Sequence, residues 1–92
     1  MNQKKRRHHI TIPTDVLLDS DLLPGAKLLY VEIERLCDGG PCWASDEDFA
    51  QFLGSSPRTV QRYLSQLQML GYISMEMNTS HETYRMTWPT RR

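Results

Sequence analysis

Apolar residues first recur at a spacing of three and four. Ala26, Leu29, Tyr30, Ile33 and Leu36 or Cys37 form one stripe, which predicts an amphipathic helix from Pro24 to Cys37. Gly39-Gly40-Pro41 breaks it. The same period returns twice. After Ser45, the residues Phe49, Ala50, Phe52 and Leu53 should face inward; further on, Val60, Leu64 and Leu67 continue the core, with Tyr63 between the buried and open faces. Beyond Gly71 the period drops to two. Ile73, Met75 and Met77 alternate with Ser74 and Glu76, and Tyr84, Met86 and Trp88 alternate with Arg85 and Thr87. That pattern predicts a hairpin with its tip at Asn78-Thr79-Ser80-His81. Met75, Met77 and Met86 fall on its inward alternation and read as core filling, and Trp43 and Trp88 as core or rim residues. Three smaller elements complete the reading: an edge strand over residues 9–13, one helical turn over Asp15 to Leu18, and a short strand at Cys42-Trp43-Ala44.

The helix boundaries carry their own signals. Ser45 suits an N-cap, with Asp48 three residues on as the carboxylate of a capping box. Asp46, Glu47 and Asp48 suit the positive end of that helix. Gly54 ends it where a left-handed residue is usual. Ser56 caps the next helix, Pro57 takes its first position, and Gly71 stops it. Two helices joined by so short a turn have the layout of a helix-turn-helix. The fold expected over residues 9–90 is therefore α+β: a small winged helix-turn-helix, with a three-helix core and a C-terminal two-stranded β-wing. A flexible basic arm over residues 1–8 precedes it.

Ninety-two residues suffice for one modest core. Formal net charge is zero, but it is unevenly spread. Residues 15–48 carry nine acids and two bases; residues 54–92 carry five arginines and two acids. Lys4, Lys5, Arg6 and Arg7 cluster at the start. An acidic back, a basic front and a basic arm are expected, a polarity that fits nucleic acid without demanding it. No apolar run approaches a membrane span and no signal-peptide pattern occurs, so the expectation is a cytoplasmic protein with no membrane partner. Cys37 and Cys42 flank Asp-Gly-Gly-Pro. They read as a redox pair, half of a zinc site, or two reduced thiols beside a loop. The last is favoured, because a closed metal site needs about four ligands and no second pair is spaced for it.

The chemically telling surface is the outer side of the third long helix. Its N-terminal half offers Ser56, Arg58, Thr59, Gln61, Arg62 and Ser65, with no acid among them. Arginine can bond bidentately to the O6 and N7 of guanine, and glutamine to adenine. Serine and threonine hydroxyls and helix N-terminal amides reach phosphates. The first turns of a recognition helix usually point at bases. An ordinary solvated helix face explains the same residues. On the wing, the tip carries no lysine or arginine, and Glu76 and Glu82 oppose phosphate. Arg85, placed on the outward alternation, is the wing residue expected to touch DNA. No phosphate loop, metalloprotease histidine pair or nucleophile elbow occurs. So small a domain has little room for an enzyme-sized cleft, so neither an enzyme nor a bound cofactor is expected.

Residues 45–73, SDEDFAQFLGSSPRTVQRYLSQLQMLGYI, resemble the winged helix-turn-helix of bacterial, plasmid and phage replication proteins. These include replisome organisers, plasmid replication initiators and primosomal helicase loaders. Ala50 stands where that family has a small residue that lets the helices approach. Gly54 follows at the turn, and Val60 is the apolar anchor of the second helix. Ser56-Pro57-Arg58-Thr59-Val60 resembles the family's Ser-x-Arg-Thr-Val, and Leu67 with Leu70-Gly71-Tyr72-Ile73 its lead into the wing. Ile12-Pro13 and the run from Leu22 to Tyr30 match the first-helix pattern, so the likeness spans residues 10–88. Ser55 departs from it, where an apolar residue is commoner. The resemblance implies sequence-specific binding of double-stranded DNA in replication initiation or replisome organisation. A transcription regulator of the same fold, or an oligomerising module of helicase-loader type, are the alternatives. The partners it implies are DNA, further copies of the chain, and replication proteins such as a helicase.

Overall fold

The computed structural model describes residues 11–78 and 84–90. Four helices precede a hairpin: α1 (Thr14–Leu17), α2 (Pro24–Leu36), α3 (Asp46–Leu53), α4 (Pro57–Met69), β1 (Ile73–Asn78) and β2 (Tyr84–Pro89). This is the expected small α+β winged helix-turn-helix.

The caps form as their residues dictate. Ser45 Oγ accepts from the Asp48 amide at 3.1 Å, and Asp48 Oδ2 accepts from the Ser45 amide at 3.0 Å. Gly54 closes α3 in the left-handed region, at φ 67° and ψ 37°. Ser56 Oγ accepts from the Thr59 amide at 3.2 Å and starts α4, with Pro57 in its first turn.

The core lies where α2, α3 and α4 meet. Ala26, Leu29, Tyr30 and Ile33 from α2 pack with Phe49 and Ala50 from α3 and Val60, Leu64 and Leu67 from α4. Val16, Leu22, Cys42 and Ile73 close its margins. Tyr30 meets Tyr72 edge to face, with centroids 6.0 Å apart. The start of α2 has no side-chain cap of its own. Instead, the Leu23 amide donates to Gln66 Oε1 on α4 at 2.9 Å.

Several expectations need correction. Phe52 is 51% exposed. At 100° per residue it lies roughly 100° round from the middle of the face that buries Phe49 and Ala50. Thr11, Ile12 and Pro13 pair with no strand among the described residues, and residues 9–10 lie outside them. The strand at Cys42-Trp43-Ala44 shrinks to a single bridge. Cys42 exchanges both backbone hydrogen bonds with Thr87, at 2.8 and 3.0 Å. Pro41 before it has no amide proton to donate, and Ser45 must already cap α3.

The hairpin's second strand is turned over relative to expectation. β1 and β2 pair antiparallel, with Met75 opposite Thr87 and Met77 opposite Arg85. Directly opposed residues share a face, so Arg85 and Thr87 point at the helices. Met86 and Trp88 lie on the other face, where they line a groove with Cys37, Gly40, Pro41 and Glu76. Met77, expected to be internal, is 55% exposed.

Candidate nucleic-acid interface

The phase of α4 decides which side chains are offered outward. Burying Val60, Leu64 and Leu67 leaves Arg58, Gln61, Arg62 and Ser65 exposed, one stripe at spacings of three and four. The expected reading face is thus assembled on one side of one rigid helix. Two of its expected members are occupied by the helix start itself. Ser56 is the N-cap, and its hydroxyl also donates to Thr59 Oγ1 at 3.1 Å, leaving Thr59 half-buried. These two residues set where α4 begins and hence where Arg58 stands. Lys4, Lys5, Arg6, Arg7 and the wing tip at residues 79–83 lie outside the described residues.

Arg85 is not on the outward side. Its side chain is 15% exposed and is ion-paired to Asp46 through Nη1. Nη2 donates to the Ala44 carbonyl at 2.8 Å, and the guanidinium lies 5.6 Å from the centre of the Phe49 ring. Burial on the helix-facing side and a carboxylate partner account for this position. Arg85 ties the wing to the start of α3.

Asp46 does more than suit the positive end of α3. It is the first residue of α3, and its Oδ2 accepts from Gln61 Nε2 at 3.0 Å while Oδ1 holds Arg85. One acid of the expected acidic back therefore sits against α4. Nothing in the spacing of residues 46, 61 and 85 announces this. Beside it, Gln61, Ser65 and Gln68 line one wall of a groove, and Met75, Met77 and Arg85 the other. The stripe 61, 65, 68 was readable as helical; its opposite wall depended on the hairpin's register.

The two cysteines are free. Cys37 Sγ donates to the Thr87 carbonyl at 3.0 Å. Burial, and then Cys42 nearby, pushes the Cys37 thiol up to about 12, so it stays protonated and a poor nucleophile at neutral pH. Among the described residues, no three of His, Cys, Asp and Glu gather as a metal-binding group, and no helix is long and apolar enough to cross a membrane.

Residues 20–73, from the loop before α2 to the first residue of β1, match the family described as helix-turn-helix domain. The chain belongs to that family. No curated protein and no solved structure matches it. In this helix-turn-helix domain, α3 and α4 form the motif, with the turn at Gly54-Ser55-Ser56. The hairpin lies almost wholly beyond the matched residues. Ser55, where the resemblance favoured an apolar residue, is exposed; its amide donates to the Ala50 carbonyl at 3.0 Å, so the turn is held by backbone bonds.

Proposed function

We propose that this helix-turn-helix domain binds duplex DNA by laying the N-terminal half of α4 in the major groove. Of Arg58, Gln61 and Arg62 at least one reads a base edge, and the others, with Ser65 and the basic N-terminal segment, meet phosphates. The observation that carries the reading is the exposed stripe of Arg58, Gln61, Arg62 and Ser65, opposite the buried one on the same helix. Its cationic and amide side chains suit base edges. The role is initiation of replication or organisation of a replisome in a bacterial, plasmid or phage system. Support comes from the resemblance of residues 45–73 to those proteins. A transcription regulator would use the same surface.

Selection of bound duplexes from random DNA tests the reading, followed by single alanine variants of Arg58, Gln61 and Arg62. At least one variant should relax the preference at one base position, at a cost of about 1–3 kcal/mol there. Unchanged preference in all three would remove α4 as the reader. Where the selected sequence recurs decides the role: repeats at an origin support replication, and a single site at a promoter supports regulation.

An oligomerising module is the second reading. Leu17, Leu18 and Leu28 on and beside α1 and α2 stay exposed, Leu18 at 72%. Sedimentation with and without DNA separates the two readings.

A further inference from the structure

We infer that Asp46 is a positioning residue for base recognition, fixing the orientation in which Gln61 meets DNA. The inference rests on the DNA-reading role proposed for α4.

A glutamine amide at a groove surface turns freely about its last bond. By turning it finds at least one hydrogen bond with every base edge, which narrows the margin by which its bidentate pairing favours adenine. Gln61 is not free to turn. An ionised carboxylate only accepts, so the nitrogen of Gln61, not its oxygen, must face Asp46 Oδ2; they lie 3.0 Å apart. One N–H is thereby used. The other N–H and Oε1 remain available, in a fixed order.

That pair is what adenine requires. Its major-groove edge offers an N6 donor to Oε1 and the N7 acceptor to the free N–H. Guanine presents two acceptors, O6 and N7, one of which would face Oε1. A pinned Gln61 therefore selects adenine, where an unpinned one compromises.

A bare carboxylate beside DNA would repel phosphate. Arg85 answers that charge. It pairs with Asp46 Oδ1 and is itself held by the Ala44 carbonyl over the Phe49 ring. Asp46 is only 20% exposed in its side chain. The relay Arg85–Asp46–Gln61 thus runs from the wing to the reading helix, and it gives Arg85 a task that needs no contact with DNA.

The first measurement uses the full chain without DNA. The Gln61 side-chain amide protons, followed by NMR, should exchange more slowly than those of exposed Gln51. Asp46→Ala should remove the difference. Equal rates in the parent would overturn the inference.

The second uses the duplex selected from random DNA and its single-base variants. Gln61→Ala should abolish an adenine preference at one position. Asp46→Ala and Asp46→Asn should each weaken that same preference about threefold or more, within the roughly tenfold that one good bidentate contact supplies. Asparagine fails because Arg85, which only donates, takes its oxygen and leaves its NH2 facing Gln61, so that Gln61 must turn its own oxygen inward. In the Gln61→Ala background, Asp46→Ala should change no base preference further. A merely structural role would instead lower affinity equally for all four bases, and that outcome overturns the inference. If Gln61→Ala lowers the preference and neither Asp46 variant does, the inference falls while the reading by α4 stands. If Gln61→Ala leaves every preference unchanged, Gln61 is no reader and the inference falls with it.

Discussion

The ring of Tyr63 on α4 lies directly over Gly25 on α2. A Cβ at position 25 would overlap Tyr63 Cζ and its hydroxyl oxygen. Here glycine leaves room for the tip of the Tyr63 side chain. Gly25→Ala should therefore destabilise the domain by about 1–2 kcal/mol, because the Tyr63 ring must swing off its packing site. In a Tyr63→Ala background the same change should be neutral or favourable, since alanine is the better helix former by about 1 kcal/mol. Denaturant midpoints of the four variants close the cycle. Additive losses would mean that the two residues do not meet.

Val60 is fully buried where α4 packs against the other helices. Val60→Ala should cost about 1–3 kcal/mol, the range for removing buried methyl groups. A denaturant midpoint unchanged within error would contradict the phase assigned to α4.

Thr87 is also fully buried, yet its hydroxyl finds no hydrogen-bond partner among the described residues. Its backbone is paired to Cys42 on one side and lies opposite Met75 on the other. Thr87→Val keeps the shape, removes the unsatisfied oxygen and suits a strand. Stability should rise, by up to about 1 kcal/mol. A loss in thermal unfolding would show that the hydroxyl has a partner.

Asp19 accepts from the Tyr72 hydroxyl at 2.6 Å and from the Asp21 amide at 2.8 Å. The tyrosine hydroxyl first, then that amide and nearby Lys27, hold its carboxyl below the ordinary value of 3.8. A depressed acid stabilises the fold above its unfolded pKa and loses that contribution as pH falls through the folded one. Stability should therefore decline on acidification below pH 3.8. Tyr72→Phe should make that decline shallower. Urea unfolding at a series of pH values measures both slopes, and identical slopes would remove Tyr72 as the cause.

Arg85 is committed to Asp46, which lowers the number of cations left for phosphate. With Arg58, Arg62 and part of the cluster Lys4, Lys5, Arg6 and Arg7, about three to five counterions should be released. The slope of log affinity against log salt should then be about −3 to −4. Removing residues 1–7 should flatten it by about two units while leaving the preferred sequence alone. Arg85→Gln should alter the slope little. A fall of a full unit in that variant would place Arg85 on a phosphate after all.

Local signals determine most of this protein's elements without reference to packing. Capping and helix periodicity are written in neighbouring residues. Ser45 with Asp48, Gly54, and Ser56 with Pro57 therefore located α3 and α4, and Val60, Leu64 and Leu67 gave the phase that leaves Arg58, Gln61, Arg62 and Ser65 outward. Alternation likewise located the hairpin, but alternation has two equivalent phases. Which face of β2 turns inward depended on the register that sets Met75 against Thr87 and Met77 against Arg85. That pairing reaches across a turn, and hydrophobicity alone pointed the wrong way, toward Met86 and Trp88. The relay through Asp46 was less legible still. Gln61 and Arg85 stand 15 and 39 residues from Asp46 along the chain. Only the packing of α3 against α4, with the wing folded over both, brings an acid from one charge block between a glutamine and an arginine from the other.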